Sequence, residues 1–449
     1  MNMRYLGIFI LSISLLFYAC EPDGPGTGGD DLDSQLIAQL LIAGEQQGIR
    51  AFQLPEDGLT ALIPQDPRNP ITPEKIELGK LLFHETGLGS NPLKVQGEYT
   101  YSCASCHHAA AGFQAGVIQG IGEGGMGFGA KGEGRVPMPG YSSLELDVQP
   151  IRSPAALNLS WQELMLWNGQ FGATGDNIGT EQSWTFNTPK EANFLGYHGI
   201  ETQAIAGMGV HRQEVDSTFI EQKNYKALFD AAFPQEDEYR RYTKITAGLA
   251  MAAYERTIMA NQSPFQKWLA GDLEAMSSKQ KEGALLFFGK ANCVSCHKGP
   301  ALNSMEFYAL GMNDLPEEGT YGDGVDEATR LGRGGFTNNP MDNYKFKVPQ
   351  LYNLKDSKFY GHGGSFTRLR DVVSYKNAGQ TENPEVPAQQ LAIEFGPLGL
   401  METDIDAITE FLSEALYDPN LSRYVPAQTL SGMCFPNNDS QSQQDLGCQ

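Results

Sequence analysis

The sequence Cys-x-x-Cys-His occurs twice in this chain of 449 residues, at Cys103/Cys106/His107 and at Cys293/Cys296/His297. A Cys-x-x-Cys pair alone is compatible with zinc, with a dithiol redox centre or with haem. The His directly after it separates these readings. Two thiols can bond covalently to the two vinyl groups of one haem while the adjacent imidazole reaches the iron from one face. With seven Cys and seven His in the chain, a chance match is expected on the order of 0.002 times. A zinc site would use both pairs as four ligands and leave His107 and His297 unexplained. Two covalently bound c-type haems are therefore expected.

The segments that lead into the two motifs echo each other. Glu77-Leu-Gly-Lys-Leu-Leu-Phe83 precedes the first and Lys281-Glu-Gly-Ala-Leu-Leu-Phe287 the second. This predicts a mainly α fold with two cytochrome c-like haem domains and long irregular loops. The expected divisions are a tether and N-terminal extension over 21–70, haem domains over 71–275 and 276–430, and a tail over 431–449. Thr72-Pro73 reads as the N-cap and first residue of a helix. Residues 34–50, 243–260 and 404–416 have helical composition. In the last, Ile405, Ile408, Leu412 and Leu416 recur at helical spacing, with Thr403 and Asp406 resembling a capping box. The Gly-rich stretch 118–142 predicts no regular structure, and flexible sequence is expected over 21–33.

The first 20 residues read as an export signal. Arg4 precedes an apolar run from Tyr5 to Tyr18, too short for a membrane span, which ends at Ala19-Cys20. That pattern resembles a lipoprotein signal with Cys20 as the lipidated residue, although Phe17 stands where Leu is usual. The expected location is the periplasm, or the outer membrane of a Gram-negative bacterium, with membrane contact only through that anchor. Cys434 and Cys448 bracket a polar segment, and an oxidising compartment favours a disulfide between them. The net charge of −22 excludes nucleic acid as a partner, because nothing would neutralise its phosphates.

What lies opposite each proximal His decides what two haems can do. In Leu369-Arg-Asp-Val-Val-Ser-Tyr-Lys-Asn377, the residues Leu369, Val372, Val373 and Lys376 share one helical face. A Lys on an apolar face either snorkels to water or approaches the second iron, and Tyr375 is the neighbouring alternative.

Several further segments show a family likeness. They are Arg152-Ser-Pro-Ala-Ala-Leu-Asn158, Leu166-Trp-Asn-Gly169, Glu201-Thr-Gln-Ala204, Ala253-Tyr-Glu-Arg-Thr257, Phe346-Lys-Val-Pro-Gln-Leu-Tyr-Asn353 and Tyr360-Gly-His-Gly-Gly-Ser365. Over residues 71–417 the chain resembles the bacterial diheme cytochrome c peroxidases, a family that includes the methylamine-utilisation enzyme which oxidises tryptophan in a partner protein. The resemblance implies that the N-terminal haem reacts with hydrogen peroxide and the C-terminal haem passes electrons from an external cytochrome or copper protein. It makes Trp167 the residue between the haems, Gln203 a distal-pocket residue, and His362 a neighbour of the electron-transfer haem. A homodimer is among the assemblies it allows.

The chain departs from the family pattern at four places. Glu123, in Gly120-Ile-Gly-Glu-Gly-Gly125, replaces a His that caps the peroxidatic iron, which implies an open first iron; a loop glutamate otherwise sits in solvent. His211, in Gly207-Met-Gly-Val-His-Arg212, takes the place of the family's distal glutamate, and a neutral imidazole there can move the protons of peroxide cleavage. Arg212 then stabilises charge on the departing oxygen. Lys376 aligns with a Met or Tyr ligand position, leaving Lys376, Tyr375 or a Met from elsewhere as sixth ligand of the iron held by His297. Arg152 replaces an Asn that helps bind calcium between the domains, so calcium is in doubt. The expectation is a peroxidase. The alternatives are a protein-oxidising relative and a non-catalytic electron-transfer lipoprotein.

Overall fold

In the computed structural model, residues 28–448 are described. The signal segment, Cys20 and the first part of the tether lie outside them. Of the fourteen α-helices among the described residues, eight organise the chain: α1 (Gly28–Ala43), α2 (Pro73–His84), α3 (Gly199–Val210), α4 (Lys244–Glu255), α5 (Ser278–Phe288), α6 (Leu369–Ala378), α7 (Glu402–Glu410) and α8 (Ser440–Leu446). Among the described residues, sheet structure is confined to two antiparallel ribbons, β1 (Gly125–Met126) with β2 (Val136–Pro137) and β3 (Phe307–Tyr308) with β4 (Phe346–Lys347). The fold is mainly α.

The two haem domains are built on one plan. In the first, α2 crosses α4; in the second, α5 crosses α7. Each crossing turns on a glycine of the sequence echo. A Cβ at Gly79 would lie 1.9 Å from the Ala250 carbonyl oxygen, and one at Gly283 would lie 2.0 Å from that of Ala407. Only a residue without a side chain lets two backbones approach this closely. Thr72 caps α2 by accepting the Lys75 N–H at 3.2 Å, as its position before Pro73 predicts. The α7 start differs from expectation. Asp404 rather than Asp406 accepts the first orphan donor, the Met401 N–H, at 3.0 Å, while Asp406 pairs with Arg370. The helix then loosens into a π turn over Phe411–Ala415.

The repeat runs further than the echo before the Cys residues. Arg152-x-Pro154-x-x-x-Asn158 matches Lys347-x-Pro349-x-x-x-Asn353. Asn158 and Asn353 both adopt left-handed backbone, φ 56° and 54°, and each opens a short 3-10 turn. Their side-chain oxygens each accept a backbone N–H, of Ala260 and of Asp418, so one closes onto the segment after α4 and the other onto the segment after α7 and its π turn. The matched Pro and Asn residues form a second echo in the sequence.

Three stretches depart from the expected organisation. Residues 28–33 are not tether. They open α1, and the buried Asp33 accepts hydrogen bonds from Trp268 Nε1 at 2.7 Å and Lys281 Nζ at 2.8 Å. The N-terminal extension therefore rests both on α5 and on residues 261–269 at the end of the first haem domain, where Gln266 bonds to the Phe52 carbonyl and the Leu54 N–H. The predicted helix over 34–50 ends at Ala43 and tightens into a 3-10 segment, Glu45–Phe52, kinked at Gly48. The Gly-rich stretch holds the β1–β2 ribbon and buries Ile121, Glu123 and Phe128. Its order comes from the C-terminal tail. Asp439 accepts from Gly127 N–H and from Arg135, and Asp445 from the Phe128 and Gly129 N–H groups. Cys434 and Cys448 form a disulfide that closes this tail. The Ser102 and Ser105 hydroxyls, flanking Cys103, donate to the Pro436 carbonyl.

Candidate haem sites and the seam between them

At the first motif, His107 Nδ1 faces the Phe113 carbonyl at 3.3 Å. At the second, His297 Nδ1 faces the Leu302 carbonyl at 2.9 Å. Both carbonyls follow the motif in a tight turn with left-handed backbone at Phe113 and Leu302, φ 56° and 48°. A carbonyl at Nδ1 fixes the proton there and leaves Nε2 as the lone-pair donor. Burial pushes both imidazoles down to about 4, so both are neutral bases ready to ligate. Cys103, Cys106, Cys293 and Cys296 form no disulfides. These donor sets fit a covalently attached haem at each motif.

Within electrostatic reach of His107 the structure places His211, joined by a residue that sequence reasoning missed. Gln203 and His211 lie along one face of α3 and its C-terminal end, with Gly207 between them. A Cβ there would stand 3.5 Å from Gln203 Nε2 and 3.9 Å from His211 Cδ2. His211 Nδ1 lies 2.8 Å from the buried carboxylate of Asp147. Burial opposes the imidazolium, but the charge and hydrogen bond of Asp147 outweigh it and hold the His211 pKa above its ordinary value. The His211 charge is felt at His107, where it adds to the burial that keeps that imidazole neutral. Asp147 carries no sequence signal. It stands in Leu-Glu-Leu-Asp-Val with no partner at recognisable spacing, and only the tertiary fold brings it to His211.

Glu123 requires a correction. It is neither a solvated loop residue nor a free group over the iron. It is fully buried, with Oε2 2.6 Å from Arg212 Nη1, and Oε1 accepting from the Tyr141 hydroxyl at 2.6 Å and the Lys94 N–H at 3.1 Å. Both oxygens are committed. Arg212 is corrected with it, since its guanidinium is paired to Glu123 rather than free to meet an oxyanion. The two acidic residues are joined through backbone: the Gly122 N–H donates to the Asp147 carbonyl and the Asp147 N–H to the Glu123 carbonyl, at 2.9 and 3.0 Å. The glycines of Gly120-Ile-Gly-Glu exist for close approach. A Cβ at Gly120 would sit 2.7 Å from Cys106 Sγ, and one at Gly122 would sit 2.1 Å from Asp147 Oδ2.

The second motif opens onto a largely apolar cavity of about 320 Å³, whose wall includes Cys293, Cys296, His297, Lys376, Trp167 and His362. Lys376 comes from α6, and burial pushes its ammonium down to about 8. Tyr375 does not line the cavity. Its hydroxyl donates to the Leu310 carbonyl and its ring lies against Phe366 and Phe395, so the structure gives the neighbouring alternative a packing role. Met312 is on the wall as well.

Trp167 and His362 sit at the seam between the domains, their rings 6.4 Å apart. Trp167 Nε1 donates to the Arg152 carbonyl at 2.8 Å. His362 stacks on Phe346 at 3.7 Å and its Nε2 lies 3.1 Å from Asp314. The seam carries a reciprocal pair of backbone bonds: the Arg152 N–H donates to the His362 carbonyl at 3.0 Å, and the Lys347 N–H to the Trp167 carbonyl at 2.7 Å. Residues 152–154 link the first motif to the seam, because the Pro154 carbonyl faces His107 while the Arg152 carbonyl holds Trp167. Among the described residues, no group of three or more His, Cys, Asp or Glu is arranged to hold a metal ion.

Comparison with known proteins agrees with this arrangement. Residues 73–274 match the family model described as di-haem cytochrome c peroxidase. The methylamine utilization protein MauG of Methylorubrum extorquens is 26% identical over 399 residues, 88% of this chain and 90% of that protein. The cytochrome-c peroxidase IdrP1 of Denitromonas iodatirespirans is 29% identical over 376 residues, 79% of this chain and 84% of that protein. The crystal structure of a MauG-like protein associated with microbial copper homeostasis shares the fold, with a TM-score of 0.57 at 22% identity, covering 82% of this chain and 95% of that one. Two Cys-x-x-Cys-His motifs, each with a neutral imidazole presented to its pocket, together with these relatives, make the chain similar to the di-haem cytochrome c peroxidases, whose family model it matches over residues 73–274.

Proposed function

We propose that the protein reduces hydrogen peroxide to water at the haem held by His107, with two electrons and two protons per peroxide. The observation that carries this reading is the His211–Asp147 pair. Asp147 holds the proton of His211 on Nδ1, so Nε2 is the acceptor. His211 takes a proton from bound peroxide and returns it to the departing oxygen, the general acid–base role of a positioned imidazole. Gln203, on the same side of α3, orients the peroxide by hydrogen bonding. The ion pair between buried Glu123 and half-buried Arg212 anchors the loop carrying Asp147. A haem held by His107 would supply the redox-active iron and a haem held by His297 would supply electrons, with Trp167 as the side chain standing between the two motifs. The external donor is a small cytochrome or copper protein, for which the acidic surface favours a basic face.

The test is steady-state turnover of the holoprotein with peroxide and a reduced small cytochrome. His211→Ala is expected to lower kcat/KM by roughly 10²–10⁴-fold, the size of a lost general base, with both haems retained. Unchanged turnover would overturn the reading. Lys376 on the cavity wall favours a second reading, an enzyme that withdraws electrons from an aromatic residue of a partner protein. A Lys ligand in place of Met would lower the potential of that haem and favour oxidised states. Peroxide consumption that requires a partner protein and ignores small reduced cytochromes would select it.

The fit of residues 1–20 to a lipoprotein signal supports export with an anchor at Cys20. No helix among the described residues is long and apolar enough to cross a membrane. Calcium between the domains would have to share the seam with the Arg152 guanidinium, and we favour a seam closed by Arg152 itself.

A further inference from the structure

Arg152 and Lys347 hold matching places in the two halves of the repeat, each two residues before the Pro whose carbonyl faces a proximal His. Each reaches across the seam. Arg152 Nε donates to the Gly361 carbonyl at 3.0 Å and Nη1 to Gln114 Oε1 at 2.8 Å. Lys347 Nζ donates to Gln162 Oε1 and the Leu164 carbonyl, both at 2.5 Å. All four acceptors are neutral. Both side chains are buried, at 8% and 6% exposure, and both line the cavity of the second motif. Burial pushes Lys347 down to about 7 and Arg152 to about 10, with no carboxylate offsetting it in either case. The carboxylates on the same wall are Asp314, which is bonded to His362, and Glu394, which is exposed.

An unpaired buried cation is strongly unfavourable, and buried charges persist where a counter-charge meets them. The protein supplies none for these two. A haem in this cavity brings two propionate carboxylates with it. A guanidinium offers a planar fork to a carboxylate, and an ammonium with two donors already used keeps a third.

We infer that Arg152 and Lys347 form a two-cation seat for the propionate carboxylates of the haem attached at Cys293 and Cys296. The seat joins the domains through the cofactor: one cation comes from each half. It also couples the carboxylates to Trp167, since the Arg152 carbonyl holds the indole N–H and its guanidinium lies 5.8 Å from the ring centroid. A cation beside a haem favours its reduced form, so the seat holds the potential of this haem up.

The experiment is spectroelectrochemical titration of the holoprotein, with resonance Raman of the propionate bending bands, after confirming two haems per chain. Arg152→Gln and Lys347→Gln are each expected to lower the midpoint potential of the His297 haem and to shift its propionate bands, while Lys347→Arg keeps the potential near wild type. Unchanged potential and bands in both Gln variants overturn the inference, as does a shift confined to the haem of His107. If the Gln variants do not take up haem, Arg152→Lys and Lys347→Arg keep the charge and change the donor geometry. Shifted propionate bands in these variants support the seat, and unshifted bands overturn it.

Discussion

The imidazole of His211 and the carboxylate of Asp147 meet at 2.8 Å across 64 residues of sequence, at the end of α3 and beside the loop that carries Glu123. The contact fixes the His211 proton on Nδ1 and makes the ring more basic. A base must be neutral to accept a proton, and Asp147 raises the pH at which His211 becomes neutral above its ordinary 6.5. The acid limb of turnover is therefore expected above pH 6.5. Asp147→Asn should move that limb to lower pH and reduce the maximum rate by at least about tenfold, the lower part of the range for impaired acid–base catalysis. Arg212 and His107 also act on His211, and Arg135, Glu123 and Tyr101 act around the pair; none of these changes in Asp147→Asn. A pH–rate profile of the two proteins checks it, and coincident acid limbs would remove Asp147 from the mechanism.

Lys376 on the cavity wall and Met312 nearby offer different ligands to the same iron. If Lys376 binds, Lys376→Ala should change the near-infrared charge-transfer band and the EPR g-values of the His297 haem and leave the His107 haem unaltered. Lys376→Met should raise the midpoint potential, because thioether favours the reduced iron. If Met312 binds, the spectra follow Met312→Leu instead.

Gly79 and Gly283 make the same contact in the two domains, so both should resist substitution. Gly79→Ala and Gly283→Ala force a Cβ onto a carbonyl oxygen, and overpacking of this kind costs about 1–3 kcal/mol, with backbone contacts at the upper end. Gly209 is the control. It lies in α3, and a Cβ added there would meet nothing within 4 Å, so Gly209→Ala should gain up to about 1 kcal/mol from helix propensity. Thermal unfolding of the three holoproteins distinguishes the cases by the sign of the Tm change.

The Cys434–Cys448 disulfide closes a loop of 14 residues around α8, and that loop braces the β1–β2 ribbon. A loop of this length is expected to contribute about 3 kcal/mol through the entropy of the unfolded chain. The double variant Cys434→Ser/Cys448→Ser should expose the Gly127, Phe128 and Gly129 amides, which donate to Asp439 and Asp445. Hydrogen exchange should rise there while α2 and α4 stay protected. Uniform loosening of the whole first domain would mean the tail is part of its core.

The cofactor chemistry and the domain plan are legible in the sequence alone. The Cys-x-x-Cys-His motifs carry their chemistry in five adjacent residues, so chain connectivity puts thiols and imidazole together. The echo before them carries the domain count, and Gly79 and Gly283 mark helix crossings because a backbone contact excludes every side chain. Thr72-Pro73 marks a helix start through local capping. The family likeness points to Trp167, Gln203, His211 and Lys376, but not to what they touch.

Tertiary structure decides the rest, because the deciding contacts are between residues far apart in the chain. Glu123 reads as a free loop carboxylate, and only the fold buries it against Arg212, Tyr141 and the Lys94 N–H. Asp147 has no local pattern at all, since a hydrogen bond across 64 residues leaves no periodicity. Tyr375 and Lys376 are neighbours on one helix, and which one faces the cavity depends on where α6 rests. Residues within a turn or a motif are held together by the backbone, so sequence determines their relation. Residues joined only by packing acquire partners, burial and charge when the core closes, as His211 does with Asp147 and as Arg152 and Lys347 do across the seam.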